Sequence, residues 1–359
     1  MAEAFVEGRP ARIDAAVAAA AMLLARARQP VVAGLGADIA GIRAGLRLAE
    51  RLGGAIDHMA ADSVLRNLSV MRDTGLMVVS PGEVRRHADL ICFVGDGTLT
   101  AWPGMLQHIA PAAQRATLVA LGAPDVARAC AGEGRAVVQA DADDMPGMLA
   151  GLRARLAGRK VAGPPEQTAA LDQLSVRLRN ARYGVMVWSA ESLPELAIEM
   201  LVGLIRDLNV ATRFTGLPLS GPDNSVGAAQ ACGWLTGYPM CTGFGTGAPV
   251  HDPWAYDAVR MVDSGEADAA LWISAFRPVA PPWNTEVPLV AVAAPGTMFR
   301  RAPQVLIEVA IPGRDHDAVI YSNETGALAS VSASAPSAAG LPTVEAVVSA
   351  ILNRIEAAA

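Results

Sequence analysis

Short, unbroken apolar runs alternate along this chain with longer stretches in which alanine, leucine and arginine recur at helical spacing. Alternation of that kind, with strands too apolar to face water on either side, is the pattern of an α/β protein built on parallel sheets. Pro30-Val-Val-Ala-Gly34 reads as a buried strand that ends on Gly34 and Gly36. Gly41 to Leu52 follows as a helix, with Leu46, Ala49 and Leu52 on one face and Arg43, Arg47, Glu50 and Arg51 mostly outward. Further strands are predicted over Leu76–Val79, Asp89–Val94, Thr117–Leu121 and Ala136–Gln139, and a helix over Asp143–Leu156 closes a first lobe, residues 1–157.

Residues 158–168, with two glycines and a Pro-Pro step, are the natural linker to a second lobe over residues 169–359. There the pattern predicts helices at Leu171–Arg182 and Pro194–Leu208, with Pro194 near a helix start where its fixed φ is favourable. Strands follow at Tyr183–Ser189, Asp268–Ser274, Val287–Val292 and Gln304–Ala310. A Ser/Ala/Gly/Pro loop, Ser330–Pro342, precedes a last helix at Val344–Ile355. The layouts of the two halves are alike, without a residue-level repeat.

Composition sharpens this picture. Hydrophobic residues make up 52% of the 359 and charged residues 18%, which rules out global disorder and favours two domains. The excess apolar content has two readings, large cores or surface kept for a permanent partner. A net charge of −6 argues against nucleic acid, and Lys160 is the only lysine. The apolar stretch Ala15–Ala25 is too short to span a bilayer, and Glu3, Glu7 and Asp14 before it are wrong for a secretory signal. Cys92, Cys130, Cys232 and Cys241 are scattered, as buried thiols in a reducing compartment would be, so the cytoplasm is the expected location.

Candidate chemistry is sparse. Gly34, Gly36 and Gly41 stand between a strand and a helix, but the spacing G-x-G-x-x-x-x-G departs from a dinucleotide fingerprint and reads as a tight turn. Gly243, Gly245 and Gly247 could cradle phosphate, yet no Lys-Ser/Thr follows, and an irregular connection is the plainer reading. The histidines His58, His87, His108, His251 and His316 show no H-x-x-x-H spacing, and Asp315-His316-Asp317 reads as a solvated turn. A G-x-S-x-G elbow is missing. Trp234, Trp254, Trp272 and Trp283 are expected as core or interface anchors. The residues therefore yield no catalytic, cofactor-binding or metal-ligating set.

Five stretches in order, PVVAGLGADIAGIRAGLRLAERLGGAID from Pro30, GEVRRHADLICFVGD from Gly82, CGWLTGYP from Cys232, DSGEADAALWIS from Asp263 and VPLVAVAAPGTMFRRAPQVLIEVAIPG from Val287, resemble the molybdopterin oxidoreductase superfamily. The likeness is nearest to the B subunit of formylmethanofuran dehydrogenase, which binds tungsten or molybdenum, and runs from about Pro30 onward. It implies two Rossmann-like parallel-sheet lobes of the molybdopterin oxidoreductase type. The departures concern chemistry. The family's N-terminal iron–sulfur cysteines have no counterpart, since no cysteine precedes Cys92, so the iron–sulfur domain is lacking. Its metal-ligating cysteine falls on Ser63, whose hydroxyl is a poor ligand for a soft metal. The pterin- and substrate-serving segments align with Val94-Gly95-Asp96-Gly97-Thr98 and Trp102-Pro103-Gly104-Met105, and a Tyr-Arg-Met-Asp pattern with Tyr321-Ser322-Asn323-Glu324. Most of the polar contacts are lost.

The resemblance thus implies a cofactor-free relative of that protein, of the kind expected in the formyltransferase/hydrolase complexes of methylotrophic bacteria. Such a complex moves formyl from formyl-tetrahydromethanopterin to a methanofuran-type carrier and releases formate. Its partners would be an amidohydrolase-like A subunit, a C subunit and a formyltransferase D subunit, with this chain structural. The alternatives are an active molybdenum- or tungsten-dependent oxidoreductase component, the central domain of a thiamine-diphosphate enzyme, which shares the Pro-Val-Val-x-Gly-x-Gly strand, and an unrelated small-molecule binder.

Overall fold

The computed structural model of the chain describes residues 4–129, 135–335 and 340–358. It forms two compact α/β units, and their boundaries differ from the expected ones. The first unit gathers Met1–Ala61, Pro222–Tyr321 and Leu328–Ala359; the second is Asp62–Gly221 with Ser322–Ala327. The expected break at 158–168 is not a domain boundary. Its last residues already belong to the helix Pro165–Asn180, which packs in one core with the preceding helix Met145–Leu156 through Leu152, Leu171 and Leu174. The Gly-Pro-Pro step leads straight into that helix, with Pro164 at its N-cap and Pro165 at its first position; strand pairing distant in sequence decides the partition.

That pairing is plain in the first unit. Pro30–Gly36 is buried at every residue and pairs in parallel with Ala269–Ser274 on one side and Ala55–Ile56 on the other. Leu289–Ala293 and Val305–Glu308 extend the parallel set. Antiparallel pieces finish both edges of this nine-stranded sheet: Thr242–Gly243 and Val250–His251 beyond Ala55–Ile56, Ala4–Val6 and Arg9–Ala11 beyond Val305–Glu308. Helices Ile13–Arg26, Ile39–Leu52 and Val344–Glu356 pack together on the sheet. Ile39–Leu52 has a strong stripe of apolar residues, begins at Asp38, whose carboxylate accepts from the Gly41 N–H at 2.9 Å, and ends on Gly53 at φ +62. Both ends follow the usual capping rules.

The second unit holds a five-stranded, wholly parallel sheet in the order Arg135–Val138, Thr117–Leu121, Leu90–Val94, Gly184–Ser189, Phe214–Leu219. One face is covered by Met145–Leu156, Pro165–Asn180 and Glu195–Leu208, the other by Pro81–His87 and short helices after residue 98. Leu76–Val79, expected as a strand, makes only an isolated bridge from Val78 to Gly216. Val78 is more than half exposed, and the helix ending at Thr74 and the one starting at Pro81 leave too little chain for a full ladder.

The tryptophans divide. Trp272 and Trp283 are core residues, 2% and 7% exposed, packed edge to face at 5.4 Å. Trp234 and Trp254 are 69% and 72% exposed. Cys92, Cys232 and Cys241 are buried thiols, whereas Cys130 lies outside the described residues. Among the described residues no helix is long and apolar enough to cross a membrane.

Candidate functional site

In an open parallel α/β sheet, ligands bind beyond the carboxyl ends of the strands, where loops diverge and helix N-termini gather. In the first unit that place lies after Gly36, Ile56 and Ser274. Several of the chain's own side chains stand beside it. A Cβ on Gly34, at φ +82, would fall 2.5 Å from the Ile273 carbonyl oxygen, so this turn admits only glycine. Gly36 faces the Met59 methyl and the Asp223 side chain, and Asn224 donates from Nδ2 to the Ala37 carbonyl at 2.9 Å. The helix N-terminus that could receive a phosphate is already capped by Asp38, whose burial raises its pKa despite the bond from Gly41. Gly34, Gly36 and Gly41 therefore serve a tight turn and close packing, as their spacing implies.

Beside this turn lies a polar cluster that sequence reasoning missed. Asp57, directly after the strand Ala55–Ile56, is buried; its Oδ1 accepts from the His58 N–H at 2.7 Å and the Cys241 thiol at 3.2 Å, its Oδ2 from the Ala258 N–H at 3.0 Å. Burial pushes its carboxyl up to about 7, against the lowering pull of those bonds. The His58 ring accepts from the Ala60 N–H at Nδ1, so Nε2 carries the proton and donates to the Asp223 carbonyl at 3.0 Å. Burial lowers its pKa to about 4. Asp223 is gripped in turn by a two-pronged bond from Arg277, 2.5 and 2.9 Å. Leu35, Asp223, Asn224 and Cys241 all hold positive φ, conformations that cost energy and persist only where the surroundings enforce them. The visible signal was an acid at a strand's carboxyl end, Asp57, and the Pro222-Asp223-Asn224 turn. Every polar atom named here is spent on its neighbours.

In the second unit the strand order reverses between Leu90–Val94 and Gly184–Ser189. There Gly95 and Gly97 take positive φ, a Cβ on Gly95 would meet the Leu193 side chain at 2.7 Å, and the Ser192 hydroxyl donates to the Asp96 carbonyl at 2.5 Å. Trp102 and Met105, at the aligned polar positions, are buried in the core with Phe93 and Ile109, and the Trp102 ring lies 5.1 Å from His108. Ser63 is buried in the first turn of the helix Ala61–Thr74.

The remaining sequence candidates fall apart. Gly243 sits in the short strand Thr242–Gly243, paired on both sides, under the Tyr256 ring. His87 packs near Tyr183, and His251 stacks on Tyr238. Asp315-His316-Asp317 is a hydrogen-bonded turn more enclosed than expected, because the Asp315 carboxylate accepts from the Ile311 N–H and Asp317 from the Ala333 N–H. Among the described residues no three His, Cys, Asp or Glu side chains are placed to hold a metal ion.

No protein-family profile matches the chain. Whole proteins do. The B subunit of the formyltransferase/hydrolase complex Fhc from Methylorubrum extorquens is 38% identical, over 98% of this chain and 96% of that protein. The chain belongs to this Fhc B-subunit family. A more distant relative, the B subunit of the tungsten-containing formylmethanofuran dehydrogenase 2 of Methanocaldococcus jannaschii, is 27% identical over 86% of this chain and 75% of its own length. Among solved structures, a chain in the crystal structure of the complex FhcABCD from M. extorquens, determined with methylofuran, superposes with a TM-score of 0.86 at 35% identity and covers 99% of both chains. The resemblance to the formylmethanofuran dehydrogenase B subunit is thereby upheld. Beside the strand ends of this Fhc-family member stand Met59, Asp223 and Asn224 in the first unit and Ser192 and Leu193 in the second.

Proposed function

We propose that this chain is the B subunit of a formyltransferase/hydrolase complex with A, C and D partners, and that its role in the complex is structural. Its two α/β units are on this reading Rossmann-like lobes of the molybdopterin oxidoreductase type. The complex would transfer formyl from formyl-tetrahydromethanopterin to a methanofuran-type carrier and release formate, with the chemistry held by the A and D subunits. The observation that supports the structural role is that Met59, Asp223 and Asn224 stand against the first unit's strand ends, and Ser192 and Leu193 against the second's. Where a nucleotide or pterin would need N–H groups and space, the chain's own atoms stand.

The tungsten-containing relative raises a metal site, and the donors here do not fit one. The aligned position is Ser63, a hydroxyl inside a helix, where a soft metal needs a thiolate. In the first unit's sheet the Cys241 thiol is buried and engaged with the Asp57 carboxyl. Co-expression of the A, C and D subunits with and without this chain tests the proposal. Assembly and formate release should both require it. A fully assembled, active complex that lacks the chain would overturn the structural role, as would turnover by the chain alone.

A further inference from the structure

Two aspartates flank His58 in the first unit, and they are treated differently by their surroundings. Asp223 is gripped by the two-pronged bond from Arg277. Asp57, 4% exposed, forms no ion pair among the described residues; it meets only the His58 N–H, the Ala258 N–H and the Cys241 thiol. The titratable groups around it supply no opposite charge. Asp257, just before the helix Ala258–Asp263, is a second acid whose charge opposes ionisation of Asp57. The Cys232 thiol, on the helix Ser225–Thr236, lies near enough to feel Asp57 and is held neutral by burial, its pKa pushed up to about 12. His58 is neutral at neutral pH and turns its ring to the Asp223 carbonyl. An anion in this setting has hydrogen bonds but no counter-charge, and a carboxyl so placed keeps its proton to higher pH than an exposed one.

A buried protonated carboxyl must give its proton to an acceptor. Two of the three partners are backbone N–H groups, which only donate. The Cys241 sulfur, 3.2 Å from Oδ1, can donate or accept. We propose that the Asp57–Cys241 contact is a proton switch: the thiol donates to the carboxylate when Asp57 is ionised, and the carboxyl donates to the sulfur when it is protonated. The proton is exchanged with solvent, and both N–H partners keep their roles. The ionised state has the stronger bond to Cys241, because a charged acceptor strengthens a hydrogen bond and sulfur is a weak acceptor. Cys241 holds φ +56, and its carbonyl accepts from His251 Nδ1 at 3.1 Å and from the Asp252 N–H at 3.2 Å. The residue whose bond reverses therefore also anchors the outer strand Val250–His251 of the nine-stranded sheet. As pH climbs through about 7 the proton leaves, and the hold of Asp57 on this edge tightens, while the fold as a whole loses the stabilisation due to the neutral carboxyl. The switch operates whether or not the chain has the B-subunit role.

Infrared spectroscopy of the full-length chain tests this, because the S–H stretch is clear of other protein bands and falls in frequency when the thiol donates. C241A identifies the Cys241 band by its loss. In the wild type that band should move to lower frequency between about pH 6 and about pH 8, in step with the loss of a protonated-carboxyl C=O band. In D57N the Cys241 band should stay fixed across the same range. C241A removes a donor to the ionised form, so it should move the carboxyl transition to higher pH by about half a unit or more. If D57N folds poorly, this last measurement still reads the switch from the carboxyl side. A wild-type Cys241 band that does not move with pH overturns the proposal. An equal shift in D57N also overturns it, since another group would then be titrating, and so does a carboxyl transition that C241A leaves in place.

Discussion

Asp57 and His58 are adjacent, buried and displaced in opposite senses, and their contributions to stability run against each other. The carboxyl of Asp57 rises from 3.8 to about 7 on burial, so its stabilisation is fully present below pH 3.8 and is lost as pH climbs through 7. His58 falls from 6.5 to about 4, so its stabilisation is present above pH 6.5 and is lost as pH drops through 4. Between about pH 4 and 6.5 the two slopes offset. D57N removes one of them. Relative to wild type it should become steadily less stable on acidification from about pH 7 to 4, which denaturant unfolding across that range would read directly. An unchanged pH profile would show that Asp57 does not titrate there. D57N should also cost about 1–3 kcal/mol at its worst pH, because the His58 and Ala258 N–H groups bond to different carboxylate oxygens and an amide keeps only one acceptor. Ser63 offers the opposite expectation. S63A should leave formate release by the assembled complex unchanged and cost about 1 kcal/mol of stability at this buried position. A ten-fold fall in formate output would restore a chemical role to this position.

At the scale of elements, most strands and helices are legible in the sequence because they are short, apolar and bounded by glycine or proline. Pro30–Gly36 and Glu195–Leu208 are cases in which local pattern and tertiary burial agree. Leu76–Val79 departs from its pattern because β-type residues alone do not supply a partner, and its pairing among the described residues is the one bridge to Gly216. The polar cluster at Asp57 is illegible for a related reason: Cys241, Ala258 and Asp223 reach it from far along the chain, and no spacing rule connects them. Caps are only partly visible. Ser80 and Glu83 form a reciprocal capping box ahead of Pro81–His87, and S80A should lower stability by about 1 kcal/mol in chemical denaturation. Gly34 is less forgiving. G34A combines a positive φ with a 2.5 Å approach to a backbone oxygen and should cost at least about 2 kcal/mol, enough to reduce the yield of folded chain.

For the whole molecule, the sequence resemblance leads to the right family, while composition alone supports no more than an α/β chain of high apolar content. What the pattern could not deliver is the partition into units, since the linker at 158–168 looks like a boundary and the real ones are set by pairing between Pro30–Gly36 and Ala269–Ser274. The proposed role makes one prediction at this scale. Elemental analysis of the purified complex should find far less than one tungsten or molybdenum per copy of this chain, and a stoichiometric value would reinstate the oxidoreductase alternative. The three-segment make-up of the first unit also has a consequence for biosynthesis. As the chain leaves the ribosome, Asp62–Gly221 is made and able to begin folding while Pro30–Gly36 still lacks its neighbour Ala269–Ser274, and Val305–Glu308 is later still. A buried, fully apolar strand must therefore wait, exposed, for most of the chain to be made, which is the circumstance in which nascent proteins need a chaperone and in which premature termination is most damaging. Ribosome-stalled chains ending just before Ala269 should resist protease across Asp62–Gly221 and be cut readily within the segment Met1–Ala61.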